Sequence, residues 1–197
     1  LQWMISAAKR YDCALSGSLV MEEDGKYYNR HYFVTPNGIA ARYDKRHLFR
    51  LGGETKRFTA GVERVVVDWQ GVKFLLQTCY DIRFPIFSRN SLTENGYDYD
   101  AIIYVANFPT AREAVWRTLS AARAIENEAF VVAVNRTGSD PYCSYSGGSI
   151  LWDSFGEVVA QCGQSETIVV TEIDTKGLKE RRKRFPTLRD GDLYNIE

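Results

Sequence analysis

At 197 residues, the chain is long enough to bury a substantial core, and its 45% hydrophobic and 13% aromatic content is that of an ordinary globular domain. Its 25 Lys and Arg balance 25 Asp and Glu, which excludes the basic footprint of a nucleic-acid or anionic-membrane binder. No apolar run approaches the ~20 residues of a membrane span.

Leu1 to Arg10 reads as a helix, entered without an N-cap signal. Cys13 to Val20 reads as a strand, and Glu22-Glu23-Asp24-Gly25 as a turn. Tyr27 to Thr35 and Ile39 to Tyr43 flank Pro36-Asn37-Gly38, a hairpin signal, and Val62 to Trp69 and Val72 to Thr78 flank Gln70-Gly71, a second one. A helix is predicted over Phe84 to Asn95, started by Pro85. Ala101 to Ala106 is a continuous apolar run, hence a strand covered on both faces. Val115, Leu119, Ala122 and Ile125 recur with helical period inside Arg112 to Glu128. Phe130 to Asn135, Ser149 to Leu151, Val158 to Gln161 and Thr167 to Ile173 read as further strands, and Leu178 to Arg184 as a short basic helix with a solvated face. The pattern is a mixed α/β domain over residues 1–197, with no internal boundary or repeat.

The chemistry concentrates at Cys79, where an apolar strand breaks into Tyr80-Asp81-Ile82-Arg83-Phe84-Pro85. A thiol at a strand-to-turn junction lies at the carboxyl edge of a sheet, where α/β folds carry their sites. Lys45, in Tyr43-Asp44-Lys45-Arg46-His47-Leu48-Phe49, can supply positive charge to a thiolate or an oxyanion, and Glu54, after Gly52-Gly53, can accept a proton or hold the lysine. The backbone N–H of Tyr80 is a second oxyanion donor. Arg83 can meet a substrate carboxylate, and Phe84, Asn107 and Phe108 are pocket candidates. His47 reads as a local structural histidine. Trp116 and Tyr145 either line the entrance or pack, and Glu126 supports the site. No Cys/His spacing fits a metal, so no metal or cofactor is expected, and four cysteines do not make a disulfide scaffold. A reducing, cytoplasmic setting follows. No resolving cysteine lies near Cys79 in the sequence.

Six collinear segments resemble the carbon–nitrogen hydrolase (nitrilase) superfamily. They are Tyr43 to Phe49, Gly53-Glu54, Cys79 to Pro85, Val105 to Pro109, Ala122 to Asn127 and Ser144 to Ser149. Cys-Tyr-Asp-Ile-Arg-Phe-Pro with Leu-Gly-Gly-Glu is most similar to the omega-amidase branch. The resemblance implies a four-layer αββα sandwich with mixed sheets, and a homodimer or higher homo-oligomer stacked through helices. It implies Cys79 as nucleophile, Lys45 as oxyanion stabiliser and Glu54 as a supporting glutamate. The substrate it implies is a small ω-amide of a dicarboxylic acid, such as 2-oxoglutaramate. Another linear amide or a nitrile is the neighbouring expectation, and a non-catalytic scaffold is the alternative of a different class. The family's general base is a glutamate on a strand that would precede Leu1, and no residue here matches it. The expectation is therefore either further N-terminal residues or a fragment that lacks this base, with Glu54 standing in if the chain is complete.

Overall fold

A computed structural model describes residues 1–192; the last five residues of the domain predicted over 1–197 lie outside it. Helix α1 (Gln2–Tyr11) is followed by an antiparallel sheet of β1 (Leu15–Glu23), β2 (Lys26–Thr35) and β3 (Gly38–Asp44). Next come β4 (Val66–Trp69), β5 (Val72–Thr78), the one-turn helix α2 (Pro85–Ser88) and the short ladder β6 (Leu92–Thr93) with β7 (Gly96–Tyr97). Strand β8 (Ala101–Ala106), helix α3 (Glu113–Glu126) and strand β9 (Phe130–Asn135) lead to the hairpin β10 (Thr137–Ser139) and β11 (Ser144–Ser146). Strands β12 (Ile150–Trp152) and β13 (Val158–Gln161) and helix α4 (Thr175–Arg184) complete the set.

The second sheet runs β13-β12-β9-β8-β5-β4. Its centre, β5-β8-β9, is parallel and its outer pairs are antiparallel, so the sheet is mixed. Alternation along the strands builds four layers. Tyr32 and Val34 of β2 face Met4 and Ala8 of α1, while Phe33 between them meets Leu76 and Ile103 of the second sheet. One residue away on the same strands, Leu75, Ile102 and Tyr104 face Trp116 and Ala124 of α3. The result is helix, sheet, sheet, helix: the αββα sandwich. Thr78 pairs with Val105, and Ala106 with Asn135, so the carboxyl ends of β5, β8 and β9 lie side by side.

Two sequence expectations need correction. The helix expected over 84–95 stops at Ser88. The Ser88 hydroxyl donates to Gln77 and contacts the Tyr104 hydroxyl, and Asn90 is clamped to Asn127 and the Tyr99 carbonyl. These buried polar contacts require an extended chain at Arg89, and Asn95-Gly96 then turns it back, with Gly96 at φ 91°. Thr167 to Ile173 joins neither sheet. It runs along the surface with Ile168 and Val170 over 90% exposed, and its strand-like composition alone does not bring it into a ladder. The β10–β11 hairpin was not anticipated from sequence, because Asp140-Pro141 masks the short runs beside it.

His31 ties the two sheets together. Its Nε2 pairs with the Ser16 hydroxyl at 2.7 Å and its Nδ1 with the Gln77 carbonyl at 3.1 Å, with no exposed surface. Burial holds the imidazole neutral, and its pKa falls from 6.5 to about 4. The unfolded chain therefore binds a proton that the folded one refuses. This stability is present above pH 6.5 and is lost as pH falls through about 4. At 1.36 kcal/mol per pK unit the loss is roughly 3 kcal/mol. Urea unfolding at pH 7 and pH 4 is expected to show a drop that is smaller by about that amount in His31→Asn. Equal drops in the two proteins would remove His31 as the source.

Candidate active site

Strand β5 ends at Thr78, and Cys79 takes φ 49°, a left-handed conformation that costs a non-glycine residue on the order of 1–3 kcal/mol. What holds it there is Asp81, which has no exposed surface. One carboxylate oxygen accepts from the Tyr43 hydroxyl at 2.7 Å and the Thr78 N–H at 2.9 Å. The other accepts from the His47 N–H at 3.0 Å and pairs with His47 Nδ1 at 2.8 Å. One buried carboxylate thus fastens the loop after β3 to the cysteine turn. On the far side, Glu126 holds Arg123 at 2.8 Å, and Arg123 donates to the Ile82 carbonyl at 2.7 Å. Glu126 acts at one remove from the turn, through Arg123.

Lys45 directly follows β3 and is 1% exposed. Its backbone N–H donates to the Asn29 carbonyl and its carbonyl accepts from Gly61. Its Nζ donates to Glu54 Oε2 at 2.6 Å, and the same oxygen accepts the Phe49 N–H at 2.6 Å. Gly53, with φ 75°, makes the reversal that brings Glu54 back to Phe49. Lys45, Glu54 and Cys79 line one cavity of about 340 Å³ with Thr78 and Asn107. The structure therefore gathers the three residues that are 9 and 25 positions apart in sequence.

Burial is the largest influence on the Cys79 thiol and pushes it above its ordinary value; Lys45 pulls it down, as a neighbouring ammonium should, while the Glu54 and Asp81 carboxylates raise it. Burial outweighs the ammonium, so the resting sulfur is a thiol that must lose its proton as it reacts.

A larger pocket of about 820 Å³ opens over Cys79. Tyr80, Arg83, Asn107 and Phe108 line it. Phe84 does not: it stacks on His47 at 3.8 Å and meets Tyr80 edge-on, behind the wall. His47 is held by Asp81 and Phe84, as a structural histidine is. The Tyr80 N–H lies in the first turn of the short helix Cys79–Arg83, where backbone N–H groups have no intrahelical acceptor. Asn135 fixes the opposite wall, accepting the Phe108 N–H at 2.7 Å and donating to the Phe108 and Gly147 carbonyls. Trp116 is core, packed on Phe108 at 5.2 Å, whereas Tyr145 lines the pocket with its hydroxyl on Asp140. Sequence reasoning missed Arg57, Arg112, Tyr142 and Cys143, which also line it. Arg57, Arg83 and Arg112 form no ion pair among the described residues.

A four-layer αββα sandwich with lysine, glutamate and cysteine gathered at the carboxyl edge of its mixed sheet defines a nitrilase-type hydrolase. The family model of the carbon-nitrogen hydrolases matches residues 1–183. The chain is 42% identical to the omega-amidase YafV of Yersinia enterocolitica over 196 residues, 98% of this chain and 75% of that one. It is 36% identical to the 2-oxoglutaramate amidase of Bacillus subtilis, over 98% of this chain and 74% of that one. It superposes with TM-score 0.97 on XC1258 of Xanthomonas campestris, a superfamily protein with an arsenic adduct in its active site. That match has 41% identity and covers 100% of this chain and 76% of the other. The chain belongs to the carbon–nitrogen hydrolase family.

Proposed function

We propose that the protein is a thiol amidohydrolase that releases ammonia from a small ω-amide of a dicarboxylic acid, of the 2-oxoglutaramate kind, within one catalytic domain spanning 1–197. The observation that carries this reading is the cavity shared by Cys79, Lys45 and Glu54, next to a pocket lined by three arginines that form no ion pair among the described residues. The Cys79 sulfur attacks the amide carbon, and the thiol's proton ends on the departing nitrogen, so that the amide group leaves as ammonia. The carbonyl oxygen becomes an oxyanion facing Lys45 Nζ and the Tyr80 N–H. Collapse expels ammonia and leaves a thioester, and water then releases the dicarboxylic acid. Glu54 holds Lys45 in place. Relatives named omega-amidase and 2-oxoglutaramate amidase support the substrate class. The same reading carries a homodimer and a reducing, cytoplasmic setting, consistent with four free cysteines. Among the described residues no helix is long and apolar enough to cross a membrane.

Assays of ammonia release from 2-oxoglutaramate and from a simple aliphatic nitrile test the reading. Turnover of the nitrile alone would overturn it. Arg83 is the proposed carboxylate contact, exposed at the pocket with no ion-pair partner among the described residues. Arg83→Gln is expected to raise KM for 2-oxoglutaramate by about 10- to 100-fold, a charged hydrogen bond's worth, with kcat little changed. Activity on an uncharged amide should be unaffected. An equal loss on both substrates would show that Arg83 maintains the pocket and does not bind the carboxylate.

A further inference from the structure

The basic run of α4 does not simply face solvent. Lys179, Arg182 and Lys183, at positions i, i+3 and i+4, share a helix face that overhangs a cavity of about 400 Å³. Lys73 of β5 and Arg189 reach the same cavity from other elements, so five cationic side chains line it. Asp100 is the one carboxylate in its lining, and both its oxygens are engaged, one by Arg182 Nη1 at 2.8 Å and the other by the Lys73 N–H at 3.1 Å. Nearby Glu128 is likewise saturated, by the Tyr97 hydroxyl and by the N–H and hydroxyl of Thr187. Arg182 is 6% exposed. It is locked in place by the Glu128 and Tyr99 carbonyls and stacked 3.9 Å over Tyr97, so the Arg182–Asp100 ion pair makes a rigid floor. Lys179, Lys183 and Arg189 form no ion pair among the described residues. The chain as a whole is electrically neutral, so this concentration of charge is local.

The cavity lies at the amino end of β5, beside the Gly71 turn, whereas Cys79 lies at the other end. Seven residues of strand at about 3.3 Å each put the two roughly 20 Å apart. The substrate of the thiol site therefore does not reach it. Lys179, Lys183 and Arg189, with no ion-pair partner among the described residues, surround the fixed floor and match a multiply charged oxyanion, and Leu92, Tyr97 and Pro186 add an apolar wall beside them. We propose that this cavity is a second binding site, for a small phosphorylated organic anion that docks between α4 and the amino edge of the central sheet.

The test is calorimetric titration and thermal melting of the full chain with adenosine monophosphate, adenosine and inorganic phosphate, in chloride buffer of fixed ionic strength. Adenosine monophosphate is expected to bind with a Kd of about 1 mM or tighter, more tightly than phosphate, and to raise the melting temperature; adenosine should do neither. The Lys179→Glu/Lys183→Glu variant, changed at two exposed helix positions, should keep amidase activity and lose at least about tenfold in affinity. The same charge reversals at exposed Lys9 and Lys26 should leave binding intact. No binding at 10-fold above that concentration, equal affinity for phosphate and the nucleotide, or binding unchanged in Lys179→Glu/Lys183→Glu would each overturn the proposal.

Discussion

Cys79→Ala is expected to abolish ammonia release, a loss on the order of 10⁴-fold or more, while the melting temperature stays close to that of the parent. The fold should survive because alanine keeps the Cβ that the left-handed backbone at this position already tolerates, and the Asp81 contacts that set the turn involve Tyr43, His47 and Thr78, not the thiol. Cys79→Ser should be nearly as inactive. A hydroxyl in the same half-buried place is harder still to ionise, and a serine ester is a poorer intermediate to reach from it. The parent trapped with substrate should gain the mass of an acyl group on the Cys79 peptide, and neither variant should. Because burial holds the sulfur protonated, iodoacetamide should modify the resting enzyme slowly at neutral pH. The rate should keep rising beyond pH 9, the thiol's ordinary value, without levelling there. A rate already flat at pH 7 would show a thiolate at rest and would contradict the raised pKa. Appreciable turnover by Cys79→Ala would remove the covalent route.

The contrast between what the sequence reveals and what it hides follows the reach of each signal. Ala101 to Ala106 and Phe130 to Ala133 are continuous apolar runs with residues of both faces packed in the cores, so they read directly as central strands. The order of Lys45, Glu54 and Cys79 is legible because each sits in its own short motif. Their proximity is not: it comes from β3 and β5 lying in facing sheets and from the Gly53 reversal. The unusual backbone of Cys79 leaves no mark in its neighbours, since the restraint comes from Asp81 reaching back to Tyr43 and His47. Arg57, Arg112 and Tyr142 enter the pocket from three separate loops and belong to no local pattern. Phe84, adjacent to Arg83 in sequence, points away because its ring is needed against His47. Sequence thus gives the inventory of the site well, and gives its walls and its charge balance poorly.

Lys45→Ala is expected to cost about 2.7–4 kcal/mol of transition-state stabilisation, the range for a lost oxyanion donor, which is roughly 10²- to 10³-fold in kcat. KM should change much less. Lys45 is buried and held at its backbone by Asn29 and Gly61, so the ammonium is aimed before the substrate arrives and needs no reorganisation as charge develops. Removing it also leaves Glu54 as a half-buried carboxylate without its cation, which should lower the melting temperature. Lys45→Met, which fills the space without charge, separates the two effects. Its stability should recover further than its kcat, and parallel recovery of both would mean that the lysine is structural. Glu54→Gln then assigns the glutamate. An amide oxygen can still accept from Lys45 Nζ and the Phe49 N–H, so a residue that only positions the lysine should tolerate the change with about a 10-fold loss, and the acidic limb of the kcat/KM profile should stay where it was. Loss of that limb, with turnover falling as far as in Cys79→Ala, would instead make Glu54 the group that takes the thiol's proton. Because the thiol is protonated at rest, some base must take that proton, and this profile decides whether Glu54 is that base.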